Sequence, residues 1–193
     1  MKPKYLFLII FLSGSILSLA QKKEPACKFH SINSLSFLNG ENEVSAGLQS
    51  VNGFQKRNLF VGLGVGLDYY IYRSVPLFGD VRYEFGKSKN KFFVYADAGI
   101  NFQWVEDPNV GGPIFIWDGF NTTRDFDNGI YTDAGFGYIV GMKKGGGLVL
   151  SLGHTLKSLK STETYQDWRT QEWLTDIYRY KLNRIAVKVG WRF

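Results

Sequence analysis

From Leu59 the chain reads LFVGLGVGLDYYIY, and its residues sort by parity. Leu59, Val61, Leu63, Val65, Leu67, Tyr69 and Ile71 fall on one side of an extended strand, while Phe60, Gly62, Gly64, Gly66, Asp68, Tyr70 and Tyr72 fall on the other. Successive strand side chains point to opposite faces, so one face here is greasy and the other small or polar. The split returns in Val75, Leu77, Gly79, Val81, Tyr83 and Phe85 against Pro76, Phe78, Asp80, Arg82 and Glu84. Beyond Gly86–Lys91 it sets Phe92, Val94, Ala96, Ala98, Ile100, Phe102 and Trp104 against Phe93, Tyr95, Asp97, Gly99, Asn101 and Gln103. Ile130, Thr132, Ala134, Phe136, Tyr138 and Val140 then oppose Tyr131, Asp133, Gly135, Gly137, Ile139 and Gly141, and Leu148, Leu150 and Leu152 open a further strand. The chain closes on Leu182–Phe193, with Ile185, Val187, Val189, Trp191 and Phe193 on one face and Arg184, Ala186, Lys188, Gly190 and Arg192 on the other.

Two weaker segments, Phe29–Leu38 and Glu43–Val51, flank Asn39-Gly40, a strong hairpin signal, and bring the count to about eight. Strands of roughly 10 to 12 residues with one apolar face fit a tilted crossing of a bilayer. A soluble sandwich also alternates, but its polar face meets water and carries many Lys, Glu, Thr and Ser. Here that face is glycine-rich, with isolated charges between aromatics, which suits the crowded interior of a small closed barrel. The predicted fold is all-β, an eight-stranded antiparallel up-and-down transmembrane barrel.

An even count puts both chain ends on one side, and the connections then sort by length. Asn52–Asn58, Gly86–Lys91 and Lys143–Gly147 become short periplasmic turns, whereas the long stretches Val105–Gly129 and Lys157–Thr175 lie outside. Charge follows the same division. Lys56, Arg57, Lys87, Lys89, Lys91, Lys143 and Lys144 occupy the short turns without an acid, and Glu106, Asp107, Asp118, Asp125 and Asp127 face Arg124 alone in the first long loop. Ordinary solvation is the favoured reading of both groups, with a binding patch as the alternative.

The N-terminus supplies an address. Lys2 and Lys4 precede an apolar run from Tyr5 to Leu19 that ends in Ser18-Leu19-Ala20, the pattern of a cleaved secretory signal peptide over residues 1–20, which leaves 21–193 as the barrel domain. At about 15 residues the run is too short for a spanning helix, and nothing after Gln21 is long and apolar enough to be one. Charged residues between Gln21 and Ala26 disfavour acylation of Cys27, the single cysteine, which also excludes an internal disulfide. Removing the leader takes Lys2 and Lys4 from the formal charge of +6. No basic helix or base-stacking motif accompanies the remaining excess, so nucleic acid is not an expected partner. The 17% aromatic content with 22 glycines agrees with a β-rich chain.

The chain resembles the small outer-membrane barrels of the OmpX and OmpA-transmembrane type, and more closely the PorT-like outer-membrane barrels. The resemblance rests on the segment around Val61–Tyr70, the strands around Asp80 and Asp97, and the terminal strand. It implies a Gram-negative outer-membrane location among lipid and lipopolysaccharide. It also implies that Val187, Val189, Trp191 and Phe193 form a C-terminal signal read by the barrel-assembly machinery. A periodic, aromatic-ended edge strand can pair with an open edge of that machine before the barrel closes.

Asp68, Asp80, Glu84, Asp97 and Asp133 share the inward face with Arg82, Tyr95, Arg184, Lys188 and Arg192. If Gly86–Lys91 is a tight turn, Asp80 lies opposite Asp97 and Arg82 opposite Tyr95. Two close carboxylates could perform acid–base chemistry. The near balance of signs favours instead a neutralised structural network, since isolated buried charges are costly, and a narrow interior filled in this way argues against a general pore.

Two enzymes use related scaffolds, a lipid A deacylase and a palmitoyltransferase. The deacylase carries His-x-Ser near the outer leaflet. His154 is expected near the outer end of its strand, but residue 156 is Leu156, and Ser158 and Ser161 are neighbours only in sequence. His30 has no metal-ligand spacing around it. The expectation is therefore no catalysis, metal or cofactor, with a lipid A-modifying enzyme or narrow channel as the alternatives. Trp104, Phe115, Trp117, Phe120, Tyr165, Trp168 and Trp173 of the long loops are expected to supply a membrane-surface girdle or a contact for a protein partner. The sequon Asn121-Thr122-Thr123 is a weak signal in a bacterial chain.

Overall fold

The computed structural model describes residues 27–193 except 42, 87, 105–122, 143–145 and 168. The expected leader lies outside the described residues, as do Cys27's upstream neighbours, Lys87, Glu106, Asp107, Phe115, Trp117, Asp118, Phe120, Asn121, Thr122, Lys143, Lys144 and Trp168. The strands are β1 (Lys28–Gly40), β2 (Val44–Lys56), β3 (Leu59–Asp68), β4 (Ser74–Phe85), β5 (Lys91–Gln103), β6 (Thr123–Asp127), β7 (Gly129–Gly141), β8 (Gly147–Gln166) and β9 (Trp173–Arg192). β6 and β7 both pair with β8 and are separated only by Asn128, so together they make one stave. The result is a closed eight-stranded antiparallel barrel, sealed by β1 against β9 from Ile32 with Arg192 to Gly40 with Arg184.

One walk around the ladder gives the tilt. From His30 the partners run through Gly53, Gly62, Asp80, Asp97, Asp133, Thr155 and Arg184 and return to β1 at Gly40, a stagger of ten residues. For eight strands this shear inclines each strand ~40° to the barrel axis, so ten residues of strand rise ~25 Å, the height of an outer-membrane apolar band.

The two faces follow the sequence parity. Leu63, Val65, Leu77, Val81, Val94, Ile100, Phe136, Ile185 and Val187 are exposed on the outer wall. Phe60, Phe78, Phe93, Tyr95 and Tyr131 pack inside with Ile32, Val51, Ile139 and Val149. At the end bearing both termini the outer wall carries aromatic pairs, Phe29 with Phe54, Tyr83 with Phe85, Phe92 with Tyr138 and Trp191 with Phe193. Such a ring suits a membrane–water boundary, where amphipathic rings settle. Sequence reasoning places a girdle only in the distal loops, although this ring is legible as the first or last outward residue of β1, β4, β5 and β9.

Several expected boundaries are corrected. β2 continues to Lys56, and Lys56 pairs with Leu59, so Asn52–Asn58 is not a turn; the connection is Arg57-Asn58, with Arg57 at φ 56°. β3 ends at Asp68 rather than continuing to Tyr72, because Ile71 adopts φ 57°, which no strand accommodates. β1 and β2 are 13 residues each, the length of β5 and longer than β3 and β4. The largest correction concerns Lys157–Thr175. It is not a loop: β8 and β9 remain paired from Gly147 with Arg192 up to Gln166 with Trp173. Apolar alternation stops where lipid stops, but Thr162, Thr164, Tyr165, Thr175, Ile177 and Tyr178 keep the β-branched and aromatic composition of strands.

Candidate functional site

The interior is filled by three tiers of polar side chains. Nearest the termini, Glu84 accepts from Arg192 Nη1 at 2.5 Å and from Lys91 Nζ at 2.8 Å. The middle tier follows from the ladder itself, which sets Asp80, Asp97 and Asp133 side by side on β4, β5 and β7, all inward and buried. Arg82 grips Asp80 through Nε at 2.9 Å and Nη2 at 2.6 Å, and its guanidinium lies 5.5 Å from both the Phe93 and Tyr95 ring centres. Lys188 Nζ lies 2.6 Å from Asp133 and 3.8 Å from Asp97, and 4.8 Å from the Tyr95 ring centre. Tyr95 and Tyr131 hydroxyls donate to Asp133 at 3.0 and 3.3 Å, and Gln49 Nε2 donates to Tyr131 at 2.7 Å. Neither Asp97 oxygen has a hydrogen-bond partner among the described residues.

In the third tier Asp68 takes Arg184 Nη1 at 2.5 Å and Lys157 Nζ at 3.4 Å. Lys157 also donates to the carbonyls of Tyr70 and Tyr72 and to Ser74 Oγ, each at 3.1 Å, and Arg184 lies over the Tyr70 ring at 5.2 Å.

All ten residues expected inside, Asp68, Asp80, Arg82, Glu84, Tyr95, Asp97, Asp133, Arg184, Lys188 and Arg192, therefore point into the barrel and meet another polar or aromatic member of these tiers. Sequence reasoning misses Lys157, Lys91, Tyr131 and Gln49. Lys157 escapes because it falls where the chain reads as a loop; its parity with Thr155 is the available signal. The five carboxylates face six cations, Arg82, Lys91, Lys157, Arg184, Lys188 and Arg192, each acid within 4 Å of one of them. Buried charge in this interior is neutralised in place, the arrangement that a low-dielectric core requires. One interior void measures about 10 Å³, between Gln49, Asp68, Tyr131 and Arg184. Among the described residues no group of His, Cys, Asp and Glu has metal-site geometry.

His154 pairs with Ala134 and Ile185 and faces outward, about a third of the way along the 20-residue β8. The expected position near the strand's outer end is thus corrected, because β8 continues for twelve residues beyond it. Ser158 Oγ accepts from the Ile130 N–H at 2.8 Å, and Ser161 is buried, so neither forms a nucleophile with His154.

Above the barrel rim, β8 and β9 form a projecting hairpin, with β6 laid against β8 from Thr123–Thr164 to Asp127–Lys160. β1 stops opposite Arg184, so among the described residues the edge of β9 from Trp173 to Asn183 has no strand beside it. Trp173, Leu174, Ile177 and Tyr178 are exposed there. Lys160, Arg179 and Lys181 share the outward face, with Asp127 bound to Lys160 at 2.8 Å. Trp104 sits outward at the rim, whereas Trp173 and Tyr165 stand at the hairpin tip, too high for a girdle. On the outer wall a groove of about 1120 Å³ runs from Asn33 and Ser50 past Leu48 and Val65 to Phe102 and Trp104.

No family model matches the chain, and no curated protein matches it in sequence. Solved structures do. Neisserial surface protein A (NspA) aligns over 86% of this chain and 96% of its own, at 9% identity and a TM-score of 0.51. The N-terminal β-barrel domain of Pseudomonas aeruginosa OprF aligns over 85% and 97%, at 11% identity and 0.49. The outer-membrane protein AlkL aligns over 91% and 94%, at 10% identity and 0.48. The fold is that of the small outer-membrane barrels.

Proposed function

We propose that this chain is an integral outer-membrane barrel without catalytic activity, whose working surface is the β8–β9 hairpin. The observation that carries the reading is the edge of β9 from Trp173 to Asn183, a row of backbone donors and acceptors with no strand beside it among the described residues. Natural edges are blunted with proline, bulges or charges; this one carries Asp176, Arg179 and Lys181 but is long, free of glycine and proline, and rich in aromatic and β-branched residues. It suits addition of an extended strand from a partner polypeptide.

A second copy in the same membrane does not fit this edge. A two-fold axis along the membrane normal would cross two strands, each tilted ~40°, at roughly 80°, far from the ~25° between ladder neighbours. The partner is therefore a different chain, best served by acids opposite Arg179 and Lys181 and by an apolar residue opposite Ile177. Lys160, Arg179 and Lys181 stand just above the apolar band, where outer-leaflet lipopolysaccharide carries its phosphates, so lipid headgroups are the second contact. The filled interior supports a closed barrel over a channel, and the missing nucleophile beside His154 supports a non-enzyme over a lipid A-modifying one.

The test titrates a synthetic extended peptide of alternating valine and glutamate against the folded barrel in lipid discs. Binding is expected to add β-sheet signal and to disappear when residues 160–179 are replaced by a short turn. A peptide that binds the shortened barrel equally well refutes the reading, and acyl-chain loss or gain in lipid A on expression would replace it with the enzyme.

A further inference from the structure

The outer wall carries single outward polar residues at Thr132 on β7 and His154 on β8, and a cluster of them in one place only. On β1 and β2, Ser31 pairs with Asn52 and Asn33 with Ser50, and all four side chains share the outward parity of Phe29, Leu35, Leu48 and Phe54. They form a contiguous two-by-two polar block.

Its height makes the block anomalous. With a shear of ten, one strand step along a ladder row climbs ~3 Å and one residue along a strand ~2.4 Å, which puts Ser31 level with the aromatic ring, where its backbone pairs with Phe193, Asn52 level with Trp191, and Asn33 and Ser50 ~2–5 Å above that. Around the rest of the barrel that level is held by Leu63, Val81, Val94, Phe136, Leu150 and Val189, all exposed. The upper half of the block, Asn33 and Ser50, therefore lies inside the hydrocarbon, and Ser31 and Asn52 lie at its boundary. Each amide donates one N–H to the serine two residues earlier in its own strand, Asn33 to Ser31 and Asn52 to Ser50, both at a long 3.4 Å. Each carbonyl and second N–H faces outward toward the lipid, where an unsatisfied polar group is costly.

We infer that this block is a self-association site, where the β1–β2 walls of two copies meet about a two-fold axis along the membrane normal. Copies related by such an axis meet residue to residue at equal height. Asn33 and Asn52 lie within ~2 Å of one another in height by the same geometry, so either amide of one copy faces an amide of the other. An amide is both donor and acceptor, so the patch complements itself, as an isologous contact requires. Adjoining Leu35, Phe54 and Trp191 supply apolar rim contacts. Asn33 and Ser50 also end the outer-wall groove, whose remaining lining suits a lipid chain; the amides alone ask for a polar partner.

The test uses the mature chain in dilute phospholipid vesicles, with donor and acceptor dyes on the exposed native thiol of Cys27. Energy transfer above the random-proximity level is expected. Interhelical hydrogen bonds in bilayers average about threefold in association each, so Asn33→Leu with Asn52→Leu is expected to weaken self-association about tenfold. Val94→Ala, on the far wall at the same height, leaves it unchanged. Both variants put apolar residues toward lipid, and heat-modifiable migration verifies their folding. Ser31→Ala with Ser50→Ala gives a second, smaller reduction. Random-level transfer in the parent chain, as expected if lipid headgroups satisfy the amides, overturns the inference. So does transfer that survives the double leucine variant.

Discussion

Asp68 is the sharpest place to perturb the interior, because it is one acid serving two cations. Its carboxylate takes Arg184 at 2.5 Å and Lys157 at 3.4 Å, and the side chains of the two cations are 0% exposed, so solvent cannot screen what is left behind. Breaking a buried pair by removing one partner costs about 3–5 kcal/mol, mostly as the uncompensated charge. Arg184→Met leaves Asp68 with Lys157 still in reach and belongs at the low end, about 3 kcal/mol. Asp68→Asn strands both cations and belongs at the high end, about 5 kcal/mol. Replacing the triad together, with Asp68→Asn, Arg184→Met and Lys157→Met, leaves no charge in this tier and is expected to recover most of that loss, since replacement of a buried ionic cluster by neutral groups is often neutral. Urea unfolding in lipid vesicles, followed by tryptophan emission and extrapolated linearly, reads each value. If Asp68→Asn costs less than Arg184→Met, or the triple variant is as unstable as Asp68→Asn, the reasoning from stranded charge is wrong.

Other expectations follow from single contacts. A Cβ at Gly153 would collide with the Tyr95 hydroxyl and stand 2.9 Å from the Ala134 carbonyl, so Gly153→Val is expected to displace Tyr95 from Asp133 and cost about 1–3 kcal/mol in the same unfolding assay. Ile71 holds φ 57°, a costly conformation for a β-branched residue; Ile71→Asn is expected to stabilise by about 1 kcal/mol, and a loss of stability would show that its side chain outweighs the strain. The Tyr165 phenol lies above the membrane band and donates to Asp176 at 3.2 Å, and this bond and the acid's charge hold its pKa above the ordinary value. Because a neighbouring negative charge disfavours phenolate, Asp176→Asn should let the residue ionise at lower pH, read by ultraviolet titration; an unchanged curve refutes the contact. Deleting Phe193 removes the backbone pair with Ser31 and the Trp191 ring contact, and should slow insertion in cells far more than refolding in detergent.

Most of the barrel is legible because the membrane imposes a period of two on everything it touches. Inside the apolar band a one-residue slip would turn Asp80 or Asp97 into lipid, so parity alone orients each of these strands. The juxtaposition of Asp80 with Asp97 is also readable, since the short connection 86–90 pins the register of β4 on β5. Asp133 is not readable as the third member of that row. Its place depends on the long interval between Gln103 of β5 and Gly129 of β7, which carries no register signal.

The hairpin is hidden for the complementary reason. Beyond Ser161 neither face of β8 or β9 is buried, so nothing forces alternation there, and KSLKSTETYQ reads as a polar loop although Lys157, Leu159 and Ser161 still alternate inward. Its strand character resides in cross-strand pairs, such as Thr164 with Thr175 and Ser161 with Tyr178, which become visible only once Leu148–Trp191 has set the register below. The same logic explains why Lys157 reads as part of a loop although its ammonium is buried among an acid, two carbonyls and a hydroxyl. A charged residue at the point where the period fades looks like the end of a strand, when here it caps the sealed interior on which the hairpin stands. The outward amides of β1 and β2 invert the case. They are in plain view, on strands that read as weak because Asn and Ser break the apolar face, yet β1 and β2 are full staves. What weakens their signal is the polar block on which the self-association proposal rests, so a reading that discounts departures from the membrane pattern discounts the candidate contact with them.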